Sequence, residues 1–198
     1  MKNYSRLVIA FAVCLVAASP SLAGGGHDNG LISSVDVLSP FACAPEVCDV
    51  IGTSTLYRSA DGVGANIDLI NVAPNTPFTV WAVVFNNPNN CAAFPHGACG
   101  LGDLGNPAVK AAIFWATGNY SDDDGNAYFQ TFITKGNNNR IPLIPGELTN
   151  PSKAEIHFIF RQHEIVFGEE HGAINTPDGS CPSNPGTCVD IGSATHER

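Results

Sequence analysis

The nine residues PFTVWAVVF (77–85) are apolar on both sides of an extended chain, and this pattern decides the fold class. Side chains of a β-strand alternate between its two faces, so even- and odd-numbered positions point in opposite directions. A strand that is apolar on both faces has to be covered on both, so we expect this one at the centre of a sheet. One apolar set is Phe78, Val80, Ala82 and Val84, and the other is Trp81, Val83 and Phe85.

Other stretches of the chain have the same short, β-like character. Turn-forming Gly, Pro and Asn separate them, and no stretch after the N-terminal segment keeps the apolar spacing of an amphipathic helix. We therefore predict an all-β domain, an antiparallel β-sandwich of Greek-key or jelly-roll type with disulfide-stapled loops. The predicted strands are 31–38, 52–58, 65–72, 77–85, 109–117, 126–133, 154–161, 164–167 and 188–195.

Residues 1–23 are typical of a secretory signal peptide. A basic start precedes an apolar run at 7–18 that is too short to span a bilayer, and Ser21 and Ala23 are small residues at the cleavage positions. An uncleaved N-terminal anchor is the alternative. The sequence thus predicts a secreted or periplasmic protein with a single domain over residues 24–198.

The chain is acidic, with 9 Lys and Arg against 18 Asp and Glu and a net charge of −9. A surface of this sign repels phosphate backbones and anionic lipids, so we expect no nucleic-acid partner. No run after the leader reaches the length of a membrane span. The expected partner is an extracellular ligand or protein whose identity the sequence does not give.

Six cysteines follow the leader, and they form three close pairs that bracket segments with Pro or Gly. Since an oxidising compartment favours disulfides, we predict three local disulfides that staple loops. A zinc site is the alternative, because CAPEVC (43–48) has the spacing of a zinc knuckle, whereas the other two pairs are spaced too widely. The predicted disulfides are Cys43–Cys48, Cys91–Cys99 and Cys181–Cys188.

Several spaced blocks of the chain resemble segments of predicted secreted bacterial proteins that have no assigned activity. The resemblance spans about residues 76–196 and implies a single secreted domain, but it implies no catalytic residue. The blocks are TPFTVWAVVFNNP, CGLGDLGNPAV, ATG, LTNPSKAEIHFIFRQH and the closing cysteine pair with CVDI.

The stretch AEIHFIFRQHEIVFGEEH (154–171) contains the residues that point to a metal. In an extended chain Glu155, His157 and His163 share one face, and the spacing of two lets Glu155 and His157 reach one ion. Such ligands suit a transition metal as cofactor. The alternative is a half-exposed strand face with ordinary polar pairs. The ligand set would be completed by a loop histidine, which could be His171, His96 or His196.

Signals for catalysis are weak elsewhere. The chain has no G-x-S-x-G motif, and the cysteines after the leader are expected to be bridged. The acidic segment GNYSDDDGN (118–126) lacks the ligand spacing of a calcium loop and is predicted to be a hairpin turn. The sequence therefore favours a binding or structural protein with no evident catalytic machinery. The alternative is a metal-binding protein or metalloenzyme built on Glu155, His157 and His163.

Overall fold

The computed structural model describes residues 32–41, 47–136, 140–163 and 188–198, and within them the chain forms β-strands and two short 3₁₀ helices. The prediction of an all-β protein is confirmed. The predicted strand at 164–167 lies outside the described residues, and a short strand at Pro142–Ile144 was not predicted. The strands are β1 (Ile32–Ser39), β2 (Asp49–Arg58), β3 (Gly62–Leu69), β4 (Pro77–Phe85), β5 (Ala111–Tyr120), β6 (Ala127–Thr134), β7 (Pro142–Ile144), β8 (Glu155–His163) and β9 (Cys188–His196).

All nine strands belong to one antiparallel sheet in the order β6-β3-β2-β1-β9-β8-β4-β5-β7. The sheet curls into a half-barrel, so the expected sandwich of two separate sheets is not confirmed. Bulges occur in the β1–β2, β4–β5 and β8–β9 pairs, and bulges increase the local twist and bend of a sheet. At the β1–β2 bulge Gly52 has φ +158, and an added Cβ there would lie 2.0 Å from the Asp68 carbonyl oxygen.

The curl brings β5 and β6 together, although neither is the other's partner in the ladder. Side chains make the connection: Asn119 Nδ2 donates to the Tyr128 carbonyl (2.8 Å), and Thr131 Oγ1 donates to the Ala116 carbonyl (3.0 Å). Arg140 binds carbonyl oxygens of both strands. Of the predicted turn at 118–126, residues 121–126 form the turn between β5 and β6, whereas 118–120 belong to β5. The two strands are not a hairpin, because β6 pairs with β3.

The main core fills the concave side of the sheet, and a second core lies on the opposite side of β4, β5 and β8. All nine residues of β4 are buried, which confirms the prediction of a central strand covered on both faces. In the second core Trp81, Val83 and Phe85 pack against Val109 and the Cys91–Cys99 disulfide. Among the described residues no helix has the length and hydropathy needed to span a membrane.

Of the three predicted disulfides, Cys91–Cys99 is confirmed, with a Cα–Cα distance of 5.2 Å. Cys48 and Cys188 are disulfide-bonded as well. Cys43 and Cys181 lie outside the described residues, so the pairings Cys43–Cys48 and Cys181–Cys188 stay predictions.

Candidate functional site

The loop of residues 86–110 covers the outer side of β4 and β8 and carries the disulfide. Its ends are tied down by Asn86, whose Nδ2 donates to the carbonyls of Lys110 and Glu147 (both 2.8 Å). Its middle is held by the buried carboxylate of Asp103, which accepts from the backbone N–H groups of Ala92 and Gly100 (both 2.8 Å). The loop is therefore a braced cover, and the site lies where it meets β8.

Glu155, the first residue of β8, joins this cover to the sheet. Its Oε1 atom accepts a hydrogen bond from the backbone N–H of Cys99 (2.7 Å) and lies 2.6 Å from Nε2 of His157. The side chain is buried, with 6% of its surface exposed. A buried carboxylate is stabilised by hydrogen bonds that point at it, and here one comes from the disulfide loop and one from its own strand.

His157 lies two residues further along the same face of β8. Because an ionised carboxylate only accepts hydrogen bonds, Nε2 of His157 is the donor to Glu155, and in the neutral form of the ring Nδ1 is then the acceptor nitrogen. Among the described residues Nδ1 has no hydrogen-bond partner. The ring also packs edge-on against Phe85, at 5.1 Å between centroids and an interplanar angle of 61°. Carboxylate and aromatic ring together hold the imidazole in one orientation.

The imidazole forms part of the wall of a cleft of about 390 Å³, which we call the histidine cleft. Its lining is mainly apolar, with two hydroxyl groups from β9. Thr195 lies opposite His157 in the β8–β9 ladder, and Ser193 lies opposite Ile159. The described residues that line the cleft are Leu38, Phe41, Val83, Phe85, Ala98, Cys99, Gly100, Leu101, His157, Ile159, Ser193 and Thr195.

The structure brings together two of the four residues proposed as metal ligands. His163 ends β8 six residues beyond His157, which is about 20 Å along a strand. It is buried there, with Nε2 2.8 Å from the Thr79 hydroxyl and Nδ1 3.2 Å from the Cys188 sulfur. The fourth residue, His171, lies outside the described residues.

The separation of the two remaining atoms is that of a hydrogen bond. Two ligands bound to one zinc at about 2.1 Å and a tetrahedral angle stand ~3.4 Å apart. The Glu155 and His157 atoms are only 2.6 Å apart. In this geometry they serve each other as donor and acceptor, and a shared ion would require them to separate.

One other group of metal-type side chains occurs in the described part of the chain. Ligand atoms of Cys91, Cys99 and Asp103 lie within 4.8 Å of one another. The two cysteines form a disulfide and so offer no thiolate, which is the form of cysteine that binds metals. This group therefore braces the cover of the histidine cleft.

A buried polar cluster on the concave side was not predicted from the sequence. His196, proposed as a loop histidine, belongs to β9 and is fully buried, with Nδ1 2.9 Å from the Ser33 hydroxyl and Nε2 2.8 Å from the Ser54 hydroxyl. Burial, and then the electrostatic influence of Arg58 and of His157, lowers the pKa of His196 to about 4. Alternation along β9 would have indicated that the His196 side chain points inward. Its hydroxyl partners could not be predicted, because they come from strands that are distant in the sequence.

Searches of protein-family models, curated proteins and solved structures found no match to this chain. The resemblance to secreted bacterial proteins stays a prediction, and the function has to be argued from the geometry of the site alone.

Proposed function

We propose that this protein is a secreted or periplasmic binding protein that holds one small, largely apolar molecule in the histidine cleft. The observation that supports the proposal is the combination of an apolar cleft with one oriented hydrogen-bonding group. Ligand sites are commonly concave and mainly apolar, with a few placed polar atoms that fix orientation. The volume of about 390 Å³ is near the lower end for such sites, so a small ligand is expected.

The arrangement around His157 specifies the chemistry of this ligand. The Nε2–H group of His157 donates to Glu155, so in the neutral ring the Nδ1 lone pair is an acceptor for a ligand hydroxyl. The hydroxyl groups of Ser193 and Thr195 are further partners on the same wall. We therefore expect an aromatic or aliphatic alcohol to be preferred over an apolar molecule of the same size that has no hydroxyl group.

The disulfide chemistry supports the proposed compartment. All four cysteines in the described part of the chain are disulfide-bonded: Cys48, Cys91, Cys99 and Cys188. Structural disulfides persist in oxidising compartments and are rare in the cytosol. The Cys91–Cys99 disulfide in the loop that covers the histidine cleft would thus stay intact in the proposed compartment.

A matched pair of probes tests the proposal. Binding of 2-naphthol and of 2-methoxynaphthalene is followed by fluorescence titration of the disulfide-intact protein. We expect saturable binding with a preference for 2-naphthol, and loss of that preference in His157→Phe, which keeps an aromatic side chain but removes the acceptor. Tyr128→Phe, an exposed position on β6 outside the cleft, is the control. Absence of saturable binding, or an unchanged preference in His157→Phe, would contradict the proposal.

A further inference from the structure

The outward face of β2, β3 and β6 carries aromatic side chains that no part of the described chain covers. Tyr57 pairs with Gly64, and Gly64 pairs with Phe132, so the three residues form one row across three strands. Phe132 is 49% exposed and Tyr57 is 41% exposed. Their backbones stand two strand spacings apart, about 10 Å, and the glycine between them has no side chain to separate the rings.

The Phe132 ring lies over the glycines of β3. A Cβ added at Gly62 would stand 3.0 Å from two atoms of this ring, and one added at Gly64 would stand 3.4 Å from a third. Neither glycine has a φ in the left-handed region, so the backbone conformation does not require them. At Gly62 the Ile133 carbonyl also excludes a side chain. The two glycines therefore seat the ring with one face against the sheet and the other toward solvent.

Amide and phenol groups lie beside the rings and are linked in a chain. Gln130 Nε2 donates to Asn66 Oδ1 (3.1 Å), and Asn66 Nδ2 lies 3.5 Å from the Tyr57 hydroxyl. Each amide keeps further donor and acceptor positions that this chain does not use. The residues that line this open recess of about 500 Å³ are uncharged. We call the two aromatic residues, the two glycines beneath Phe132 and the two amides together the aromatic platform: Tyr57, Gly62, Gly64, Asn66, Gln130 and Phe132.

We propose that the aromatic platform binds a neutral glycan of equatorially substituted sugar rings. The C–H groups on the face of such a ring carry partial positive charge, and the face of an aromatic ring is negative, so the two faces stack. The sugar hydroxyls then lie at the rim, where Asn66 and Gln130 offer donors and acceptors. A net charge of −9 opposes anionic polysaccharides, whereas the uncharged platform carries no such barrier for a neutral one.

This site is independent of the histidine cleft, because it lies on other strands and shares no lining residue with it. Loss of naphthol binding would leave the glycan proposal standing, and the reverse also holds. Glycan binding here would retain a secreted protein at a polysaccharide surface while the cleft holds its own ligand.

Affinity electrophoresis in gels that contain hydroxyethylcellulose or glycol chitin tests the proposal, with carboxymethylcellulose as the anionic counterpart of the same backbone. We expect retardation of the full chain by at least one neutral polymer and weaker retardation by carboxymethylcellulose. Phe132→Ala should weaken binding about tenfold, as expected for the loss of one aromatic stack, and Phe132→Trp should retain it. The matched control is Phe94→Ala, since Phe94 is 42% exposed on the covering loop, away from the platform.

Gln130→Ala provides a second variant that leaves the seated ring in place and should also weaken retardation. Thermal melts of every variant show whether it is folded. Absence of retardation by both neutral polymers would overturn the proposal. So would a Phe132→Ala variant that melts at a lower temperature but binds as the wild type does, because the ring would then serve only to cover the glycines of β3.

Discussion

Two regions of the outer face of the curled sheet differ in how they meet solvent. The outer face of β4 and β8 carries Trp81, Val83 and Phe85 and is covered by residues 86–110, which pack a second core over it. The outer face of β3 and β6 has no such cover in the described residues, and its exposed side chains include Tyr128 and Phe132. One face uses apolar residues to hold a loop, and the other leaves aromatic residues accessible.

The difference follows from sequence patterning. Strand β4 is buried at all nine positions, whereas β6 alternates strictly between buried and exposed positions. A strand that is apolar on both sides recruits a cover, because leaving its second face in water would forfeit roughly 25 cal/mol for each Å² of apolar surface. The β6 pattern needs only the concave core. The concave core therefore does not account for the exposed aromatic residues of β6, which are the residues that the proposed glycan site would use.

The largest expected effect comes from comparing phenylalanines on opposite sides of the sheet. Phe160 is fully buried on the concave side and contacts Phe129 at 6.3 Å between ring centroids. Phe160→Ala should lower the free energy of unfolding by about 3–5 kcal/mol, because it removes a large buried side chain and leaves a cavity. Phe132→Ala should lower it by about 1 kcal/mol or less, as is usual at the surface. Urea melts measure both, and equal losses would mean that the Phe132 ring is structural.

The second effect is a loss of stability in acid that originates in the concave core. The pKa of His196 is about 4 in the folded protein and about 6.5 when exposed, so between these values the unfolded chain binds more protons than the native one. Stability should therefore fall as the pH is lowered from about 6.5 to 4, by about 3 kcal/mol in all, and this contribution should not change below that range.

Urea melts at a series of pH values check this prediction. His196→Gln, which keeps hydrogen-bonding capacity toward Ser33 and Ser54, should be less stable at neutral pH but should show a flatter profile between pH 6.5 and 4. An unchanged slope in this variant would assign the acid sensitivity to other groups.

The third effect tests whether the covering loop of residues 86–110 affects ligand binding in the histidine cleft without affecting the aromatic platform. Replacing Cys91 and Cys99 together by Ser should cost about 2–3 kcal/mol in the chain-entropy account of a short disulfide loop. Because the Cys99 N–H donates to Glu155, naphthol binding should weaken as well. Retardation by neutral polysaccharide should be unchanged, since the aromatic platform lies on other strands. A parallel loss of both activities would show that the two faces are coupled.

Local patterning predicted most of the strands but could not predict how they associate. The bounds of β4 and the two-sided burial of its residues follow from nine consecutive letters. The pairing of β3 with β6, by contrast, joins Gly62 to Thr134 across the whole of β4 and β5. Such pairings depend on twist, bulges and competition among strands, which a single sequence does not display. The sequence therefore predicted a sandwich of two sheets, whereas the structure has one curled sheet.

The site was predictable to the same depth. Two-residue spacing on one strand placed Glu155 and His157 side by side, and the structure does so. The third partner is the backbone N–H of Cys99, which residue type cannot reveal because every residue except proline carries one. Strand alternation also put His163 on the same face, but a shared face does not imply proximity at opposite ends of a nine-residue strand.

The smallest expected effect separates a ligand cleft from a metal site. His157→Ala should cost about 1–2 kcal/mol, because it removes one of the two hydrogen bonds to the buried Glu155 carboxylate and leaves the one from Cys99. A bound metal would instead add linkage stabilisation that the variant loses. We expect EDTA to leave the wild-type melting temperature unchanged, and elemental analysis after dialysis to find no stoichiometric zinc, copper or iron. A chelator-dependent melting temperature in the wild type but not in His157→Ala would establish the metal site, and it would require Glu155 and His157 to move apart from their present 2.6 Å.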